Sequence, residues 1–225
     1  MRPTHPHSEA GKRSARQPLN LQPRRISQEP RWRAQALFAG AALPLDCRHW
    51  LLDDGSLTAR LTALGKGKFR VQRLSQGWGV PLMSERRLLE TPPRQRALVR
   101  EVALWLGDQP VVYARSVFPV SSLTGSLTHL RRLQNSSLGA ILFSDPEMQR
   151  SPFELAHMSG DSDYLHPRLR QRAPAWGRRS RFDIGGKALL VGEVFLEAFT
   201  PWPASLSLPR SQRGRVSTAI LPATQ

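Results

Sequence analysis

In the stretch KALLVGEVFL, Lys187 to Leu196, a single carboxylate sits among apolar residues. Alternate side chains of a strand share a face, so Leu189, Val191 and Phe195 point the same way as Glu193. A lone charge on such a face is costly to bury: either Glu193 has a fixed internal partner or it waits for a ligand. A second stretch, VREVALWLGDQPVVYARS, repeats the puzzle, because Arg100 alternates with Val102, Leu104 and Leu106. With Gly107-Asp108 as a two-residue hairpin turn, Leu106 pairs with Gln109, and counting outward brings Arg100 opposite Arg115. Like charges directly opposed destabilise a sheet unless something anionic lies between them. Two guanidiniums and a carboxylate among apolar neighbours suit a small acid with a carboxylate to anchor and a hydroxyl to orient, since a guanidinium grips a carboxylate through two parallel hydrogen bonds. The same residues are equally compatible with a structural salt bridge from Glu193 to Arg100 or Arg115. Arg100 near a strand end, its head reaching water, is a further alternative.

Other chemistries find little support. The histidines at 5, 7, 49, 129, 157 and 166 show no metal-ligand spacing beyond His5-Pro-His7, which falls in an irregular N-terminal stretch. One cysteine, Cys47, makes neither a zinc cluster nor an intrachain disulfide, and no partner for it as a nucleophile can be named. GKGK at 65–68 lacks the strand-turn-helix setting of a phosphate loop. No Gly-x-Ser-x-Gly elbow occurs.

The elements that must position Glu193 and Arg100 can be read from periodicity. Trp50, Leu51, Leu57, Leu61 and Leu64 fit one helical face interrupted near Gly55, with Ser56 as N-cap of the second helix. KFRVQRLSQGWG alternates as a strand, and residues 92–120 read as two long strands. Leucines 123, 127, 130 and 133 indicate a helix, and SSLGAILF opens another after Ser136 or Ser137. A second hairpin turns at Gly185-Gly186. Antiparallel hairpins with interspersed helices make the fold class α+β, a single domain.

The chain has 225 residues, 40% of them hydrophobic, and a net charge of +16. Residues 1–36, 166–181 and 200–225 together supply fifteen of those charges. The charge therefore reads as decoration of flanks and one loop, and no specific nucleic-acid partner is expected. We expect a disordered basic leader over 1–40, a folded domain over 41–199 and a flexible basic tail over 200–225. No apolar run reaches the length of a membrane helix, and a cytoplasmic protein is expected.

These residues carry a resemblance. VREVALWLGDQPVVYARSVFPVSSLTG, followed by SSLGAILF and WGRRSRFDIGGKALLVGEVFL, closely resembles the chorismate pyruvate-lyase family from about Leu43 to Leu196, in the same order. The chain departs from that family in its leader, in an apparent insertion around MSGDSDYLHPRLRQRAP and in its tail. The resemblance implies an antiparallel sheet with helical flaps over a small internal cavity. It implies a lyase that removes pyruvate from chorismate and leaves 4-hydroxybenzoate, the first committed step of ubiquinone synthesis, with no cofactor and no metal, acting as a monomer. Carried over by position, the substrate-binding residues are Leu57, Arg100, Leu138 and Glu193, with Glu193 and Arg100 at the chemistry. Arg100 is expected to clamp the ring carboxylate, helped by main-chain N–H groups at Leu57 and Leu138. Glu193 is expected to face the 4-hydroxyl, and Arg115 the departing carboxylate. The alternative is a non-catalytic domain of the same fold that senses small carboxylates.

Overall fold

Both expected hairpins form, and they pair with each other at the centre of one sheet. The structure is a computed structural model that describes residues 24–38, 43–202 and 215–216. In chain order the elements are β1 (Arg33–Ala34), α1 (Leu45–Leu51), α2 (Leu57–Gly65), β2 (Phe69–Gly79), α3 (Met83–Leu89), β3 (Ala97–Leu106), β4 (Gln109–Pro119), α4 (Leu138–Leu142), β5 (Gln149–Arg150), β6 (Glu154–Met158), β7 (Ala175–Ile184), β8 (Lys187–Phe195) and β9 (Arg215–Val216). The strand order is β1-β6-β7-β8-β4-β3-β2, with β5 also on β7 and β9 on β5. Every pairing is antiparallel except β5 with β9. The class is α+β, as expected.

The turns follow from their glycines. Gly107 has φ +58°, and Gly185 and Gly186 have φ +55° and +76°, the left-handed region that two-residue hairpin turns demand. Ser56 caps α2 through its Oγ, which accepts from Ala59 N–H, and Ser137 caps α4 in the same way from Ala140 N–H.

The hairpin register departs from the expected one. Leu106 does pair with Gln109, but Leu104 pairs with Val112, which leaves Val111 as an extra residue, a β-bulge. From there inward the register is shifted by one: Arg100 faces Ser116, and Glu101 faces Arg115. A one-residue shift sends a side chain to the other face. Arg115 therefore leaves the face of Arg100. On the back of the sheet its Nε donates to Glu85 Oε1 at 2.7 Å and its Nη1 to Glu101 Oε1 at 3.1 Å.

Other expectations need smaller corrections. Leucines 123, 127, 130 and 133 are buried, but Gly125–Arg132 is a 3-10 helix. Three of the four are spaced by three, the interval at which 3-10 side chains line up. Leu64 is largely exposed. The stretch 166–181 is only in part a loop, because Arg178, Arg179 and Arg181 belong to β7. Arg178 and Arg179 are buried, so two of the six arginines in that basic cluster are internal.

The folded unit also extends beyond the expected boundaries. Within the expected leader, Trp32 packs edge-on against Tyr164. Arg24 donates to the Asp163 and Tyr164 carbonyls, and Glu29 accepts from Met83 and Ser84 N–H at the start of α3. At the other end Trp202 packs against Phe195 and Phe199. The apparent insertion contributes the buried Tyr164, Leu165 and Leu169. The remainder of the expected leader and tail, residues 1–23, 39–40, 203–214 and 217–225, lies outside the described residues.

Candidate active site

The front face of the sheet, covered by α2 and α4, bounds a cavity with about 650 Å³ of free space, mouth included. Leu57, Arg100, Leu138 and Glu193 all line it. Register explains the floor. Arg100, Ser116, Val191 and Ser180 form one row across β3, β4, β8 and β7. Val102, Ala114, Glu193 and Arg178 form the next row on the same face. The roof is two helix starts in close contact. A Cβ on Gly139 would sit 3.0 Å from Thr58 Oγ1 and 3.3 Å from Ser56 Oγ, so the absence of a side chain there lets α4 close onto α2. Only one first-turn N–H of each helix is taken by its serine cap. Those of Leu57 and Leu138, for which the helix supplies no carbonyl, remain at the roof.

Among the described residues Arg100 has no acidic partner. It is 2% exposed, and one of its terminal nitrogens, Nη2, donates to the Gln134 and Ser136 carbonyls at 3.0 and 2.8 Å. Its Nε is buried without a partner. Burial, with repulsion from Arg73, pulls its pKa down to about 10. The charge is thus held in place by main-chain oxygens and left uncompensated, the electrostatic condition for an anion site.

Glu193 is paired, but with neither residue weighed from the sequence. Arg178 Nε donates to Glu193 Oε2 at 2.7 Å. Arg178 Nη1 also donates to the Trp50 and Asp53 carbonyls at 2.6 and 2.8 Å. One arginine thus holds both the glutamate and the loop ahead of α2. Arg100, through Gln134 and Ser136, does the same for the loop ahead of α4. Both flaps are tied to the cavity floor by guanidinium–carbonyl bonds.

Sequence reading missed Arg178 and Arg150. Arg178 was legible in principle: in WGRRSR it alternates with Trp176, Ser180 and Phe182 ahead of the Gly185-Gly186 turn, and hairpin counting places it opposite Glu193. Arg150 gave no such signal, because β5 has two residues. Arg115 is absent from the lining. Cys47 is buried with its thiol pushed up to about 11, first by desolvation and then by Asp46, which leaves it protonated and unreactive near neutral pH. Among the described residues no group of three His, Cys, Asp or Glu side chains is arranged to hold a metal, and no helix is long and apolar enough to cross a membrane.

Comparison with known proteins shows the family to which the chain belongs. A family profile described as chorismate lyase matches residues 32–202. A probable chorismate pyruvate-lyase of Pseudomonas aeruginosa (strain UCBPP-PA14) is 44% identical over 164 residues, covering 73% of this chain and 89% of the relative. One from Methylococcus capsulatus is 40% identical over 166 residues, covering 72% of this chain and 98% of the relative. Among solved structures, the effector domain of PhnF from Mycobacterium smegmatis superposes with a TM-score of 0.47 at 14% identity, over 65% of this chain and 91% of that one, a likeness too loose to bear on function.

Proposed function

Because the chain belongs to the chorismate lyase family, and so removes pyruvate from chorismate to leave 4-hydroxybenzoate, we propose that the cavity beneath α2 and α4 is where it does so, with the ring held between Arg100 and Glu193. The observation that supports this most is the uncompensated Arg100, buried in the same cavity as Glu193 but not bonded to it. Arg100 takes the ring carboxylate, together with the main-chain N–H groups of Leu57 and Leu138. Glu193, with Oε2 occupied by Arg178, offers Oε1 to the 4-hydroxyl.

The reaction then asks little of the protein beyond position and charge. The C3–O ether bond breaks with its electron pair leaving on oxygen. The C4 hydrogen is lost as a proton, and its electron pair completes the aromatic ring. The enol fragment takes up a proton at its methylene carbon and becomes pyruvate. Aromatisation supplies the drive. The residues hold the dianion in the reactive shape with its charge compensated. On this reading the reaction needs neither metal nor organic cofactor. The protein would act as a monomer in the cytoplasm, without a specific nucleic-acid partner, at the entry to ubiquinone synthesis.

Incubating the purified full-length chain with chorismate tests the reading, with 4-hydroxybenzoate and pyruvate expected in equal amounts. Tight binding of 4-hydroxybenzoate without turnover of chorismate would replace the lyase by a carboxylate sensor.

A further inference from the structure

We propose that Arg150 receives the second carboxylate of the substrate, the one on the departing enolpyruvyl group; this rests on the reading that Arg100 holds the first. Arg150 is 2% exposed and lines the same cavity. Among the described residues its guanidinium has no salt bridge, and its Nε is buried without a hydrogen-bond partner. What supports it is the face of the Phe153 ring, 4.4 Å away. A buried guanidinium resting on an aromatic ring, with carboxylates near but none bonded to it among the described residues, is an unfinished ion pair.

Its position in the sheet sets it apart from Arg100. Arg150, on β5, pairs with Phe182 on β7, on the far side of the floor from Arg100 on β3, with β4, β8 and β7 between them. Ser180 stands beside it on the same face of β7, two residues before Phe182. Its Oγ is also buried and unbonded, and its side chain lines the cavity. Unsatisfied donors therefore gather at two opposite ends, Arg100 Nε at one and Arg150 Nε with Ser180 Oγ at the other. The charge count agrees. The lining carries Arg100, Arg150 and Arg178 against the single acid Glu193, a surplus of two positive charges. Chorismate carries two carboxylates, whereas 4-hydroxybenzoate keeps one and pyruvate takes the other. Arg115, the residue expected from the sequence to serve this second carboxylate, is committed to Glu85 and Glu101 behind the sheet.

Because Arg150 would touch only the half of the substrate that leaves, substrate and product separate its role from that of Arg100. Arg150→Met and Arg150→Lys are compared with wild type by kcat/KM on chorismate and by Kd for 4-hydroxybenzoate, each variant first shown to melt cooperatively. Arg150→Met is expected to lose on the order of a hundredfold in kcat/KM, as when one partner of a buried charge pair is removed, while its Kd for 4-hydroxybenzoate stays within about threefold. Arg150→Lys should recover part of the loss, because it restores charge without the planar fork. Unchanged kcat/KM in Arg150→Met overturns the proposal, and so does an equal loss in kcat/KM and product affinity. If Arg150→Met does not fold, Arg150→Lys decides alone by the same split. A failure of the Arg100 reading would show separately, as an unaltered Kd for 4-hydroxybenzoate in Arg100→Ala.

Discussion

Arg178 Nε and Glu193 Oε2 lie 2.7 Å apart across β7 and β8, so one oxygen of the glutamate is used within the sheet and the other is left to the cavity. On the proposed reading of the site, this division casts Glu193 as an orienting group, fixed before substrate arrives. Glu193→Gln is therefore expected to keep kcat within about tenfold of wild type. A fall of about 10²–10⁴ in kcat, the usual contribution of a general acid or base, would make it the proton carrier instead. Steady-state rates on chorismate decide between the two.

Arg100→Ala should weaken 4-hydroxybenzoate binding by roughly 2–5 kcal/mol, the cost of truncating one partner of a buried, hydrogen-bonded charge pair. Titration calorimetry reads this directly, and unchanged affinity would remove Arg100 from the carboxylate site. Its lost bonds to the Gln134 and Ser136 carbonyls should also loosen the loop ahead of α4, visible as faster amide exchange there.

Arg115 behaves differently. Its bonds go to Glu85 and Glu101, all three side chains are buried, and none lines the cavity. Arg115→Met is expected to cost about 3–5 kcal/mol of stability by leaving the buried Glu85 carboxylate without its cation and Glu101 with only the more distant Arg24. The fraction that remains folded should bind 4-hydroxybenzoate as wild type does. Denaturant unfolding paired with calorimetry would check both halves.

Glu101 predicts an acid limb of stability. Burial works against its ionisation, but the Arg115 charge and donors from Tyr113 and Ser75 outweigh burial and hold its pKa below the usual carboxylate range. A carboxylate depressed in the folded state stabilises fully above its unfolded pKa, about 4.3, and loses that contribution as pH falls through the folded value. Glu101→Gln should therefore be clearly less stable than wild type at pH 7. The gap should narrow progressively below about pH 4, as thermal melts across pH would show.

Residues 24–38 are expected to stabilise the domain. Deleting residues 1–38 removes the Arg24 bonds to the Asp163 and Tyr164 carbonyls, the Glu29 cap on α3 and the Trp32–Tyr164 contact. Each lost kcal/mol should lower Tm by about 2–4 °C in a domain of this size. A melt superimposable on that of the full chain would show that the segment contributes nothing.

The parts of the fold legible in the sequence are those with strong local patterns: both long hairpins, their glycine turns, the serine caps and the two charges on apolar strands. Less visible were features that depend on partners distant in sequence. Val111 looks like any other valine in a strand, and only the pairing of its neighbours reveals the bulge that moves Arg115 to the back. β5 and β6 are too short to show a period, which hid Arg150. α3 passed unnoticed because its first-turn N–H groups are capped in part by Glu29, more than fifty residues earlier in the chain. The basic look of WGRRSR suggested a solvated loop, whereas Arg178 and Arg179 are matched by Glu193 and Glu154 inside the sheet.

The bulge at Val111 also limits how this hairpin can change over time. Its carbonyl accepts from Leu196 N–H at 3.0 Å, so the extra residue is stitched to the strand beyond the hairpin as well. Drawing it into regular pairing with Leu104 would instead bring Arg115 opposite Arg100 and leave Glu85 without its cation, spoiling the reaction chamber and its supporting layer in a single event. Descendants of this chain can exchange side chains along β4, but any change that irons the bulge out by pairing Val111 with Leu104 is closed to them.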